Sequence, residues 1–320
     1  MRPRNTIIAF LILVVLVGIW LILDRPFHED ATKPEKVVTV FPDFSADAIT
    51  SFQVISQGDA VELRRKDNAW VVMDGDAEYP ADVQAVTTLL DKTAALKKIQ
   101  IASTNPEKRG VYQVDSQGTE VKLFSGADLR CHFFVGKNGP DFFSTFVRVE
   151  GSDEVMLVPE YLKTHFDKRL NSWKDRTLLS VEKERIKSLR IERAGKEPIA
   201  LEYKGDGWFL TEPEAHAADE KAINRLLGNL SRYMATDYAE LREDGDYGFS
   251  APSMTLTVGL DDTTTKTILL GAPKDTTGYY AKTMDSDWIF IVPKYRFTTF
   301  DKDWEELKAV PTPVPEPAAE

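Results

Sequence analysis

The chain has 320 residues, 42% of them apolar and 28% charged, enough to build packed cores in about two domains on a prior of roughly 150 residues each. Its 51 acidic against 40 basic residues give a formal net charge of -11, which opposes a nucleic-acid partner, because phosphate backbones are held by clustered Lys and Arg. A single cysteine, Cys131, excludes an intrachain disulfide and a cysteine-based zinc site.

The first element in chain order is Ile7 to Leu23, a run without charge whose 17 residues reach about 26 Å as a helix, close to the ~30 Å hydrocarbon core. Its length and its exit through Trp20-Leu21-Ile22-Leu23-Asp24-Arg25 favour an uncleaved signal-anchor over a cleaved signal peptide, whose apolar run is shorter and ends in a small-x-small site. Arg2 and Arg4 lie just before the run, so the positive-inside rule keeps residues 1–24 as a cytoplasmic tail and single transmembrane anchor. The bulk of the chain is then expected on the periplasmic or extracytoplasmic side of a bacterial inner membrane. Residues 25–44 are polar and proline-containing and read as a linker. Residues 311–320 (PTPVPEPAAE) read as a disordered Pro-rich tail.

Between linker and tail the chain repeats itself. Residues 45–182 and 183–310 show one order of features, which predicts two tandem α+β units, each a mainly antiparallel sheet with a packed helix. Strands around Ile49-Thr-Ser-Phe52, Val61-Glu-Leu63 and Trp70-Val-Val72 answer to Ile186-Lys-Ser-Leu189, Ile199-Ala-Leu201 and Trp208-Phe-Leu210. A helix follows in each, N-capped by Asp82 or Asp219, with apolar faces Val83, Val86, Leu89, Leu90, Ala94 and Ile223, Leu226, Leu227, Leu230, Tyr233, Met234. Four-strand meanders come next: 120–124, 129–136, 142–149 and 155–158, against 254–260, 266–271, 279–283 and 288–292. Alternation places Cys131 with Leu129, Phe133 and Val135 on one buried face. Each unit closes on Val158-Pro159-Glu-Tyr161 then Phe166-Asp167-Lys168, matched by Val292-Pro293-Lys-Tyr295 then Phe300-Asp301-Lys302 at a constant offset of 134 residues. These segments are expected to form short helices packed by Tyr161 and Phe166, or by Tyr295 and Phe300.

The anchor, the Ile-x-x-(Phe/Leu) strand, the tryptophan of the third strand, the helix, Gly136 or Gly271 before an aromatic pair, and Val-Pro-x-Tyr together resemble the family catalogued as domain of unknown function 4340. Tyr247-Gly248-Phe249-Ser250-Ala251-Pro252 is similar to that family's pattern, whereas Val111-Tyr112-Gln113-Val114-Asp115 departs from it and lacks the proline. The resemblance implies an accessory subunit beside an ATPase and a permease of a gliding-motility-type ABC exporter. It transfers no catalytic residue. A Gly-x-x-x-x-Gly-Lys-Ser/Thr loop is missing, so an ATPase would be a separate protein.

Candidate chemistry is sparse. His28, His132, His165 and His216 lack ligand spacing, so no metal and no cofactor is expected, and a Gly-x-Ser-x-Gly elbow is missing. The acidic stretch Glu240-Leu-Arg-Glu243-Asp244-Gly-Asp246 reads as a solvated turn; a weak calcium site would want the glycine and terminal Glu of an EF-hand loop. Trp70, Trp208, Tyr279 and Tyr280, with Trp288 and the Phe142-Phe143 pair, are candidates to line a peptide or glycan groove, although their recurrence in both copies favours core packing. The expected function is a non-enzymatic, membrane-anchored accessory or scaffold subunit. The alternatives are a tethered envelope glycan or peptide binder and a glycan hydrolase using paired carboxylates.

Overall fold

The computed structural model describes residues 38–205, 207–240 and 245–309. The anchor Ile7–Leu23, most of the 25–44 linker and the 311–320 tail lie outside the described residues. Among the described residues, no helix is long and apolar enough to cross a membrane.

The chain divides into two compact units between Trp173 and Lys174. In unit 1 the elements are β1 (Val38–Thr39), β2 (Ser51–Ser56), β3 (Asp59–Lys66), β4 (Ala69–Asp74), β5 (Ala77–Pro80), α1 (Val83–Ala94), β6 (Lys97–Lys98), β7 (Gln100–Ser103), α2 (Arg109–Tyr112), β8 (Thr119–Ser125), β9 (Asp128–Asn138), β10 (Thr145–Val149), β11 (Val155–Val158) and α3 (Lys163–Phe166). Unit 2 holds β12 (Thr177–Ser180), β13 (Ile186–Arg193), β14 (Ile199–Lys204), β15 (Gly207–Glu212), β16 (His216–Ala217), α4 (Glu220–Leu230), β17 (Arg232–Met234), β18 (Asp237–Tyr238), β19 (Met254–Leu260), β20 (Thr265–Pro273), β21 (Gly278–Thr283), β22 (Phe290–Pro293) and α5 (Lys294–Phe300).

The two units share one topology. Unit 1 forms a nine-stranded sheet in the order β5-β4-β3-β2-β8-β9-β10-β11-β7, and unit 2 repeats it as β16-β15-β14-β13-β19-β20-β21-β22-β18. The neighbours pair antiparallel throughout, as with β2 on β8 and β13 on β19. A two-strand ladder, β1 with β6 or β12 with β17, accompanies each sheet. The expected architecture of tandem, mainly antiparallel sheet units with a packed helix is what the chain adopts, although the ladder moves the division from 182/183 to 173/174. Thr177–Ser180 pairs with Arg232–Met234 and so belongs with unit 2.

The helices begin where the sequence places them. Asp82 accepts from Ala85 N at 3.0 Å, and Asp219 accepts from Ala222 N at 2.7 Å. Ile223, Leu226, Leu227 and Leu230 are all buried under 4% exposure, each stabilising by about 2 kcal/mol relative to water. Helix α1 buries Ala85, Val86, Leu89, Leu90 and Thr93, whereas Val83 and Ala94 face solvent. Tyr233 and Met234 are not helical: α4 stops at Leu230, and the chain turns into β17, where Leu179 provides the partner for Tyr233.

Other expectations are corrected by tertiary packing. Part of the expected linker is structural, since Val38–Thr39 pair with Lys97–Lys98 and Val40, Phe41 and Phe44 pack on the core. Leu129 is exposed, because Phe124 faces Leu129 while Leu123 faces Cys131, so Arg130 is an extra residue that breaks the alternation. Phe142 and Phe143 stand outside β10, which starts at Thr145. In the closing segments Phe166 and Phe300 are fully buried, while Tyr161 and Tyr295 are 39% and 65% exposed; one aromatic plug per unit suffices.

Each sheet also carries structure on its second face. In unit 1 a small cluster of Val114, Phe134, Phe146 and Val155, with Tyr112 and Leu157 against it, lies opposite the main core. The segment carrying Tyr112 approaches β9 so closely that a Cβ at Gly136 would collide with the Tyr112 carbonyl. Gly271 meets the Tyr247 carbonyl in the same way, and Gln113 (φ 56°) and Gly248 (φ 76°) make the same left-handed turn. Gly136→Ala and Gly271→Ala are therefore expected to destabilise by about 3 kcal/mol in urea unfolding. Gly228→Ala, in α4 with open space around its Cβ, should be neutral or stabilising by up to about 1 kcal/mol.

Candidate functional site

The aromatic candidates do not converge. Trp70 lies on β4 of unit 1 and packs against Phe52 at 5.4 Å, at the margin of the main core. Trp208, on β15, stands opposite Tyr203, with ring centroids 5.8 Å apart. Tyr279 and Tyr280 lie on β21, five strand spacings from β15, or about 24 Å at ~4.8 Å per spacing. They point to opposite faces. Tyr279 stacks on Phe297 of α5 at 4.1 Å, and Tyr280 meets Tyr247 edge-on at 5.0 Å. Trp288 meets Tyr238 edge-on at 5.1 Å. These rings hold elements together rather than line one groove.

The second-face clusters recur in both units. Tyr112 against Phe146 at 4.7 Å in unit 1 answers to Tyr247 against Tyr280 in unit 2. Beside them lies a cation on an aromatic face: Arg148 is 4.4 Å from the Phe134 ring, and Lys282 is 5.0 Å from Phe249. Arg148 is 3% exposed, donates from Nε to Val114 O at 2.9 Å and pairs with Glu150 at 2.8 Å. Its charge is thus shared between a carboxylate, a carbonyl and a ring. The acidic stretch 240–246 borders this cluster: Tyr247 OH donates to Glu240 O at 3.1 Å, and residues 241–244 lie outside the described residues.

The cysteine and the described histidines stand in different places. Cys131 is 3% exposed, and burial pushes its thiol up to about 11. A shallow cavity of about 290 Å³ runs beside it, between Phe41 to Ser45 and Leu129 to Cys131. His132 Nε2 lies 2.7 Å from Glu120 Oε1. Burial pushes the Glu120 carboxyl up, but hydrogen bonds and charge from Lys122 and His132 outweigh it and leave it below its ordinary value. Burial, then the Lys92 charge, lowers His165, while the His216 ring lies 3.3 Å from the Ala217 carbonyl. Among the described residues, no group of three or more His, Cys, Asp or Glu is placed to hold a metal ion.

One surface feature was not legible as such in the sequence. Phe142 and Phe143 form the tip of the hairpin between β9 and β10, 76% and 78% exposed. Asp141 Oδ1 accepts from Phe143 N at 3.1 Å, Ser144 N at 2.9 Å and Ser144 Oγ at 2.5 Å, so the amides that would extend β10 are engaged in a turn. The matching hairpin of unit 2 uses the same device: Asp275 Oδ1 accepts from Thr277 N at 2.7 Å and Thr277 Oγ1 at 2.6 Å. Its tip residues are Thr276 and Thr277, both exposed. The strand counterparts of Tyr279–Tyr280 are accordingly Thr145–Phe146, not Phe142–Phe143. The Pro140-Asp141 pair before the two rings was the available turn signal.

Fold and surface define a tandem-duplicated α+β protein, each unit a nine-stranded antiparallel sheet covered by a capped helix on one face and by a crossing segment on the other. The chain belongs to the family described as Domain of unknown function (DUF4340), whose model matches residues 70–246 and 208–309. The two matches open on equivalent tryptophans, Trp70 and Trp208. Neither a curated protein nor a solved structure matches the chain.

At pH 8 the Cys131 thiol is expected to react with a maleimide about 100-fold more slowly in the native protein than in denatured chain, from thiolate fraction alone. A native rate within tenfold of the denatured one would contradict its burial. Because the folded Glu120 value is lowered, its stabilisation is present above the unfolded carboxylate range, near ~4.3, and is lost as pH falls through the folded value. The stability gap between wild type and Glu120→Gln should be full at pH 7 and shrink below about pH 4 in urea titrations.

Proposed function

We propose that the protein is a non-enzymatic, membrane-anchored extracytoplasmic accessory or scaffold subunit of an ABC-type, gliding-motility-like transporter complex. The supporting observation is the role of the residues that recur in both units. Asp82 and Asp219 cap helices, Asp141 and Asp275 close turns, Gly136 and Gly271 admit a carbonyl, and Phe166 and Phe300 fill cores. A pattern made of such residues preserves a shape, and a duplicated shape presents surfaces to partners. The run Ile7–Leu23, with Arg2 and Arg4 before it, supports one membrane anchor with both units outside the cytoplasm. The transporter partner follows from the context of the resembling family, so it is the part of the reading that an experiment addresses first.

Affinity purification of the full-length protein in mild detergent, followed by mass spectrometry, is expected to recover an ATPase and a polytopic permease in fixed ratio to it. Recovery of the protein alone from native membranes overturns the accessory-subunit reading in favour of a stand-alone envelope binder.

A further inference from the structure

The Phe142–Phe143 tip is not required by the hairpin that carries it. Unit 2 closes the same turn with the same aspartate and places two threonines at the tip, so the duplication itself supplies the control. Nor are the rings exposed by fraying. Phe142 N donates to Gly139 O at 3.1 Å, Gly139 N donates to Ser144 O at 2.8 Å, and the Asp141 carboxylate gathers the next two amides. A Cβ at Gly139 would strike the Ser144 side chain and come within 2.9 Å of Leu157 Cδ1, so the turn is seated against the sheet. Two adjacent rings held in water by a pinned turn form an apolar patch of the kind that marks a contact surface.

Position and chemistry select the occupant. Only the unit that follows the apolar run carries the rings. Residues 24–37 join Leu23 to β1, and these 14 residues span at most about 48 Å even fully extended, so unit 1 stays within that distance of the hydrocarbon boundary. The same end of the sheet bears an interfacial set of side chains. Thr145 Oγ1 donates to Glu160 O at 2.6 Å, which brings the next residue, half-exposed Tyr161, to the base of the hairpin, and Lys92 pairs with the Glu160 carboxylate there. Phenyl rings at a tip with a tyrosine and a lysine behind them suit a lipid surface, where rings enter the acyl boundary and polar ends remain at the headgroups.

We propose that Phe142 and Phe143 form a second membrane contact, dipping into the interface of the bilayer that holds the anchor and fixing the orientation of unit 1 over it. The proposal rests on the reading of Ile7–Leu23 as the anchor. The tether makes a weak contact effective, because insertion of the tip is then intramolecular.

The test uses full-length protein with Phe143→Cys carrying an environment-sensitive fluorophore, reconstituted into phosphatidylethanolamine and phosphatidylglycerol vesicles doped with doxyl-labelled lipid. Buried Cys131 stays unlabelled, and Thr276→Cys at the matching tip of unit 2 serves as the comparison. Quenching at residue 143 is expected to exceed that at 276 several-fold, and adding Phe142→Thr should cut it at least twofold. Equal quenching at the two tips in vesicles that retain the protein through a carbonate wash overturns the tip contact while leaving the anchor standing. Quenching that Phe142→Thr does not change shows that the dye sought the lipid, and also overturns it. Protein that leaves the vesicles in carbonate contradicts the anchor and with it the tip contact. Emission that shifts only in native membranes, never in pure lipid, assigns the tip to a protein groove instead.

Discussion

In each unit one junction holds the helix, the sheet and the closing segment together. Asp82 N donates to Trp173 O at 2.7 Å while its carboxylate caps α1, and Asp219 N donates to Leu307 O at 2.8 Å while its carboxylate caps α4. The residue before each cap returns to the sheet, Ala81 N to Trp70 O at 2.9 Å and Ala218 N to Trp208 O at 3.0 Å. Trp173 and Leu307 are buried at 0% and 2%, so the end of each unit seals the helix that began near its middle. Free amides at a helix start are costly when buried, and here a strand, a side chain and a distant carbonyl meet them at one place. The helix cannot shift along the sheet without breaking all three.

Duplication turns each unit into a comparison for the other. Features that repeat are those that backbone geometry demands: the caps, the close approach at Gly136 and Gly271, and the left-handed turn at Gln113 and Gly248. Features that differ sit where geometry is permissive. Asp167 accepts from Ser56 Oγ at 2.6 Å, whereas Asp301 meets Lys196 at 2.9 Å, so one closing loop is tied by a hydroxyl and the other by an ion pair. Arg148 and Lys282 exchange cations on the second face, and two phenylalanines replace two threonines at a hairpin tip. The units have thus diverged in side-chain chemistry over a common frame.

That separation bears on function. Rings placed at matching strand positions are occupied with packing, as Phe146 on Tyr112 and Tyr280 on Tyr247 show. A contact surface is better sought where one copy departs from the other, and the exposed rings of unit 1 are such a departure. The candidate site was therefore poorly legible in the sequence. Phe142–Phe143 and Tyr279–Tyr280 look alike as strings; Pro140-Asp141 is the one local turn signal, and the engagement of the Asp141 carboxylate with the following amides shows that the first pair leaves the ladder.

The sequence by itself determined what depends on near neighbours along the chain. Asp82 and Asp219 announce helix starts, the three- and four-residue spacing of Ile223, Leu226, Leu227 and Leu230 gives a buried face, and the 134-residue offset between Phe166 and Phe300 reveals the repeat. Only the tertiary structure decided the short edge strands β7 and β18, the β1–β6 and β12–β17 ladders, the exposure of Leu129 and the strand conformation of Tyr233. Segments of two to four residues are too short to show a period, and they become strands only because partners remote in sequence offer hydrogen bonds. A bulge such as that at Arg130 is likewise set by the register of the opposing strand, which no local pattern carries.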